Sequence, residues 1–178
     1  RKAIMRVIAG SARRLLLKTP EGMETRPTTD RIKETLFNIL QPDIPGCHFL
    51  DLFSGSGAIA IEALSRGAAQ AVLVENHPQA ISCIRQNLSS TRLSDRAKVM
   101  EGDVFACLKR LEGQDQPFDL VFMDPPYGQG LEQKVLRQLR DSSLIDSHTR
   151  IIIEASKDTD FSWLASEGYE LVRDKQYK

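Results

Sequence analysis

Asp124, Pro125, Pro126 and Tyr127 follow directly on the run Phe118-Asp119-Leu120-Val121-Phe122-Met123. That run reads as a short buried strand. The tetrapeptide then falls at a strand's carboxyl end, where open α/β sheets place their ligands. Two successive prolines fix φ, restrict the residue before each and remove two backbone donors. The product is a stiff corner with free carbonyls, an acid at its start and an aromatic ring at its end. Such a corner suits a flat group bearing N–H donors, the exocyclic amine of a nucleobase being the obvious candidate. The plainer reading is a loop that merely stops the strand. A reactive cofactor bound nearby decides between them.

Upstream, Leu50-Asp51-Leu52-Phe53-Ser54-Gly55-Ser56-Gly57-Ala58 runs from an expected strand, Phe49 to Phe53, through a tight loop into a helix. Gly55 and Gly57 permit positive φ and close approach of a ligand to the backbone. Glu75 lies 20 residues after Gly55, at the end of the next strand, where a carboxylate can accept both hydroxyls of an adenosine ribose. The same spacing fits a nicotinamide dinucleotide. Asp51, just before the glycines, would repel a pyrophosphate but can pair with an ammonium group. Asp103 ends the third strand, within reach of an adenine amino group. Three acids with no Lys or Arg in the loop favour a cationic ligand without phosphates, and S-adenosylmethionine matches. A nicotinamide-dependent oxidoreductase accounts for Gly55, Gly57 and Glu75 but gives the proline corner no role.

These residues need a scaffold, and the remaining sequence supplies one. Residues 4–18 hold two short β-prone pieces around Gly10-Ser11, a plausible hairpin, and Thr28-Thr29-Asp30 offers N-cap candidates for a helix that Pro42 ends. From Phe49 onward strands and helices alternate: strands at Ala71 to Val74, Ala97 to Met100, Phe118 to Met123, Ile151 to Ile153 and Tyr169 to Val172, with helices between, including one at Phe161 to Ala165. Strict alternation predicts a doubly wound, mostly parallel α/β sheet with a small N-terminal hairpin and helix. The expected division is an extension at 1–44 and a catalytic domain at 45–178.

The chain is neutral overall, but residues 1–33 carry nine Lys/Arg against three Asp/Glu. That leaves a net of +6 on the arm and −6 on the body. A basic arm on an acidic body is the asymmetry of a segment that meets phosphates. Three widely spaced cysteines and three scattered histidines suggest neither a disulfide framework nor a metal site, and a reducing cytosol is the simplest setting.

With these residues in place, the chain resembles the class I methyltransferases, specifically the bacterial 16S ribosomal-RNA guanine-N2 methyltransferases of the RsmD type. The likeness runs through Arg6-Val7-Ile8-Ala9-Gly10, Arg26-Pro27-Thr28-Thr29-Asp30-Arg31, Glu34-Thr35-Leu36-Phe37-Asn38, the glycine loop, Glu62-Ala63-Leu64-Ser65-Arg66-Gly67 and the proline corner. It implies a Rossmann-like fold and S-adenosylmethionine held by Asp51, Phe53, Ser54, Gly55, Gly57, Glu75, Asn76, Asp103, Val104 and Asp124, with no metal. Asp124, Pro125, Pro126 and Tyr127 would be catalytic. Arg6, Arg13, Arg14, Lys18, Arg26 and Arg31 would face 16S rRNA or an assembling small ribosomal subunit, the protein being a cytoplasmic monomer. DNA adenine-N6 methyltransferases share the corner, and a non-catalytic RNA-binding or assembly factor on the same fold is a further alternative. Two departures stand out. Residues 13–14 are Arg-Arg where the family often has Gly second. The chain also stops at Lys178, where a seventh, antiparallel strand is expected, so the last strand is expected to be truncated.

Overall fold

Five parallel strands form the centre of the molecule, side by side in the order Ala97–Glu101, Gln70–Glu75, His48–Leu52, Leu120–Met123 and Arg150–Ile153. The structure, a computed structural model, describes residues 5–20, 30–114 and 116–176. In chain order the elements are β1 (Met5–Arg6), β2 (Leu16–Leu17), α1 (Asp30–Leu40), β3 (His48–Leu52), α2 (Ala58–Ser65), β4 (Gln70–Glu75), α3 (Pro78–Ser90), β5 (Ala97–Glu101), α4 (Val104–Leu111), β6 (Leu120–Met123), α5 (Leu131–Arg140) and β7 (Arg150–Ile153). β1 and β2 pair antiparallel as a separate hairpin.

Side-chain alternation explains why both faces of the sheet are covered. Phe49, Leu73, Leu120 and Phe122 point into one apolar cluster, shared with Phe37 and Leu40 of α1, the buried face of α2, Ile84 and Leu88 of α3, and Met5, Val7 and Leu17 of the hairpin. Leu50, Leu52, Val72, Val74, Val121 and Met123 point the other way, onto Leu108 of α4 and Val135, Leu136 and Leu139 of α5. A strand buried on both faces reads as a continuous apolar run rather than an alternating one, which is why β4 and β6 were legible as strands. This is a Rossmann-like, doubly wound α/β fold.

Three elements differ from expectation. Phe53 is not the last residue of β3: it takes φ 59°, a left-handed turn that ends the strand and sends the Ser54 N–H to the Val74 carbonyl at 3.0 Å. The helix expected at Phe161 to Ala165 is instead a series of turns, with a 3₁₀ turn at Ala165–Glu167. Trp163 Nε1 donates to the Asp160 carbonyl and Gly168 turns left-handed at φ 86°, so the segment is too short to repay helix nucleation. Tyr169 to Val172 forms no ladder. The Tyr169 hydroxyl donates to the Leu136 carbonyl of α5, which draws the chain over the helix and away from the sheet. Leu171 and Val172 are left 61% and 81% exposed.

Candidate functional site

The strand registers define the site. Leu52 pairs with Val74 on one side and Met123 on the other, and Met123 pairs with Ile153. The next residues therefore stand side by side along the carboxyl edge, in the order Glu75, Phe53, Asp124 and Glu154. Adjacent strands lie ~4.8 Å apart. Two strand spacings, about 10 Å, separate the strand carrying Glu75 from the one carrying Asp124, with the glycine loop rising between them.

The loop is shaped by one strained residue and two glycines with different duties. A left-handed φ on a phenylalanine costs ~1–2 kcal/mol and is held by packing of Phe53 against the α4/α5 cluster. A Cβ on Gly57, which has φ 81°, would approach Leu73 Cδ2 at 3.1 Å and Ile84 Cγ1 at 3.3 Å, so this glycine lets α2 pack closely. Gly55 has φ 60° and nothing within 4 Å of where its Cβ would be. Open space over bare backbone is what an approaching ligand requires.

Glu75 uses both carboxylate oxygens to set this geometry. Oε1 accepts the Gly55 N–H at 2.8 Å, and Oε2 accepts the N–H groups of Asn76 and His77, each at 3.0 Å. Asp103 caps α4, its Oδ2 accepting from the Phe105 and Ala106 N–H groups at 3.1 Å. Val104, the first residue of that helix, is buried. Both cap bonds fall on one oxygen, so the cap does not consume the other.

Asp51 sits beneath the loop, 1% exposed. Its Oδ2 accepts from the Ser54 hydroxyl at 2.8 Å and the Ala60 N–H at 3.3 Å. Burial pushes its pKa up to about 8. The Ser54 and Ala60 bonds pull it down, and the nearby negative charges of Glu75 and Asp124 raise it further. The carboxyl is thus neutral in the folded protein below pH ~8 but ionised in the unfolded chain above its ordinary 3.8. Between those values the folded state holds the extra proton, so stability falls as pH rises and levels off above ~8. Denaturant unfolding from pH 4.5 to 8 is expected to show that decline in the wild type and a flatter profile in Asp51→Asn. Equal slopes would exclude a protonated Asp51.

At the corner, Asp124 is half-buried, Pro125 buried, and Pro126 and Tyr127 exposed, Tyr127 at 39%. Alternation along β6 turns Asp124 towards the face of Phe122 and the hairpin, the face on which Asp51 meets α2. The influence of Asp124 on Asp51 agrees with that placement.

Sequence reasoning missed the joint that fixes the N-terminal extension to this site. Glu62 of α2 is 0% exposed and accepts the Ile8 N–H at 2.8 Å and the Ala9 N–H at 3.1 Å. It also pairs with Arg66 at 2.8 Å and with the equally buried Lys33 of α1 at 3.3 Å. Burial lowers the Lys33 pKa, while the charge of Glu62 opposes that shift. Arg66 in turn lies over the Phe37 ring at 5.0 Å. Nearby, a Cβ on Gly10 would lie 1.8 Å from the Ser65 carbonyl oxygen. Asn87 of α3, 1% exposed, closes a second joint: Oδ1 accepts the Lys18 N–H, and Nδ2 donates to the carbonyls of Lys18 and Ser56. The end of the hairpin and the glycine loop therefore share one amide. A lone acid in the otherwise apolar helix Ala58–Ser65 was the available signal for Glu62; Asn87 had none.

The basic candidates divide. Arg13 and Arg14 are exposed on the hairpin turn, and Arg14 has φ 74°, the conformation for which glycine is suited. Lys18 is exposed and donates to Gln86, Arg6 pairs with Asp30 at 3.2 Å, and Arg31 is exposed at the start of α1. Arg26 lies outside the described residues. Among the described residues no group of His, Cys, Asp and Glu could hold a metal ion, and no helix is long and apolar enough to cross a membrane.

The chain is similar to known proteins in sequence and in fold. "Ribosomal RNA small subunit methyltransferase D" of Escherichia coli K12 is 36% identical over 151 residues, covering 85% of this chain and 74% of that one. The Haemophilus influenzae protein of the same name is 35% identical over 178 residues, covering 98% and 89%. The solved structure of Escherichia coli yhhF superposes with a TM-score of 0.81 at 33% identity, covering 98% and 93%. The family described as "Conserved hypothetical protein 95" matches residues 5–178. The chain belongs to that family, the RsmD family of class I methyltransferases whose motifs its sequence resembles.

Proposed function

We propose that the protein is an S-adenosylmethionine-dependent methyltransferase that modifies the exocyclic N2 amine of a guanine in small-subunit ribosomal RNA. One observation carries the chemistry: Asp124 and its proline corner stand on the strand next to the glycine loop, on the same edge of the sheet. The names of the two relatives support an rRNA substrate. The open space over Gly55 and the ring of carboxylates fit a ligand that is cationic at its amino-acid end and free of phosphates.

S-adenosylmethionine, when bound, supplies an electrophilic methyl group. Glu75, Asn76 and Asp103 would hold its adenosine half, and Phe53, Ser54, Gly55, Gly57 and Val104 would shape the floor. Asp51 would brace the loop from below, and a cationic ammonium group above it would favour release of the proton that burial retains there. The guanine amine is a weak nucleophile because its lone pair is delocalised into the ring. Asp124 and the Pro125 carbonyl accept its two N–H bonds, drawing the nitrogen towards tetrahedral geometry. Tyr127 stacks on the base, a contact generally worth ~1–3 kcal/mol. The corner's rigidity sets the line of attack, which positioning alone accelerates strongly. The target guanine must leave its stack to reach the corner.

Residues 1–44 are proposed as the RNA-facing extension of a catalytic unit at 45–178. The left-handed Arg14 supports this reading: an arginine at a backbone position suited to glycine is a strain that a contact with phosphate would offset. Charge reversal at Arg13, Arg14 and Lys18 together is expected to weaken rRNA binding. It should also reduce the slope of log affinity against log salt by about two to three. An unchanged slope would remove the hairpin from the interface.

The reading is tested by incubating the full chain with radiolabelled S-adenosylmethionine and separate pools of rRNA and DNA, followed by nucleoside mass spectrometry. N2-methylguanosine from small-subunit rRNA is expected. Label in DNA adenine would favour the adenine-N6 alternative, and no transfer at all would favour a non-catalytic assembly factor.

A further inference from the structure

Glu154 follows the last residue of β7, and its N–H donates to the Met123 carbonyl at 3.0 Å, which fixes it beside Asp124 along the edge. It is half-buried and lies on the side of the corner away from the glycine loop. Alternation places it on the same face as Asp124, since Ile152 and Phe122 both pack into the cluster beneath that face. The two carboxylates are therefore about one strand spacing, ~4.8 Å, apart in the backbone. Neither belongs to a group that could hold a metal among the described residues.

We infer that Glu154 is a specificity-determining residue, its carboxylate accepting the N1–H of the target guanine while Asp124 and Pro125 take the N2 amine. This rests on the guanine-N2 reading above and deepens it. On the Watson–Crick edge of guanine the N1–H lies next to the N2 amine, so two acceptors in a row match two donor groups in a row. Adenine presents an amine beside an unprotonated N1, and a carboxylate facing that lone pair repels it. The adenine amine could meet the corner's acceptors equally well. Asp124 alone therefore does not choose between the bases, and its neighbour does. Sites built to accept a substrate N–H reject analogues lacking it by large factors, because the buried acceptor is left unpaired.

The test uses small-subunit rRNA in which the methylated guanosine is replaced, by ligation of a synthetic segment, with 2-aminopurine riboside. That base keeps the 2-amino group but presents an unprotonated N1. Wild-type protein is expected to lose ~10²-fold or more in kcat/KM on the analogue. Glu154→Gln, whose amide can accept from a protonated N1 or donate to an unprotonated one, should narrow the preference for guanosine over the analogue, while its S-adenosylhomocysteine affinity by calorimetry stays as in wild type. An unchanged guanosine-to-aminopurine ratio in Glu154→Gln overturns the assignment. So does a wild-type protein indifferent to the analogue, a measurement that stands even if the variant does not fold. Failure of wild-type protein to methylate guanosine N2 at all would overturn the guanine-N2 reading itself, and Glu154's role with it.

Discussion

Asp124→Ala is expected to lower kcat for rRNA methylation by about 10³-fold, the range found when a pre-organised group facing the reacting atoms is removed. S-adenosylhomocysteine affinity, measured by calorimetry, should change by less than about threefold. The reason lies in position: Asp124 is one strand beyond the glycine loop, on the side away from Glu75. Its loss leaves the bonds of Glu75 to Gly55, Asn76 and His77 intact. Asp124→Asn keeps an acceptor oxygen without the charge and should fall between wild type and alanine. One side effect is expected in both variants. Asp124 is among the charges that raise the Asp51 pKa, so its removal should move the pH-dependent loss of stability to lower pH. Near-wild-type turnover in Asp124→Ala would end the proposed role of the corner.

Glu62→Ala is expected to cost ~3–5 kcal/mol of stability, the typical result of stranding a buried cation. Lys33 and Glu62 are both 0% exposed and Arg66 nearly so. Removing the carboxylate also strips the acceptors from the Ile8 and Ala9 N–H groups. The loss should appear as a fall of roughly 10 °C or more in Tm for a chain of this size. The double variant Lys33→Met with Glu62→Gln provides the check. With the Lys33 charge gone and the shape kept, only Arg66 is left without its carboxylate, and the variant should recover part of the loss. If Glu62→Ala melts within 2 °C of wild type, the Lys33–Glu62–Arg66 joint does not hold the extension in place.

The two variants probe different relations between sequence and structure. The corner, the glycine loop and the strand-end acids could be read from the chain because each depends on local stereochemistry: fixed φ at proline, freedom at glycine, an acid where a strand stops. β4 and β6 could be read because strands covered on both faces leave continuous apolar runs. Tyr169 to Val172 looked like a strand by the same rule. A single hydroxyl bond to α5 and the turn at Gly168 took it elsewhere, and such a competition is invisible in a local pattern. Phe53 is similar: apolar enough to extend β3, it turns left-handed because the chain must cross above β4.

By itself, the sequence determined the fold class and the chemical types present at the sheet's carboxyl edge. Periodicity and backbone restriction act over a few residues and are written in order along the chain. Only the tertiary structure decided which of those groups are neighbours. Strand order put Asp124 between the glycine loop and Glu154, burial set Asp51 beneath the loop with Ser54 and Ala60 as partners, and Glu62 and Asn87 joined the basic arm to the site across more than fifty residues of chain. Those relations arise from packing and desolvation between distant segments. Neither leaves a trace in local spacing.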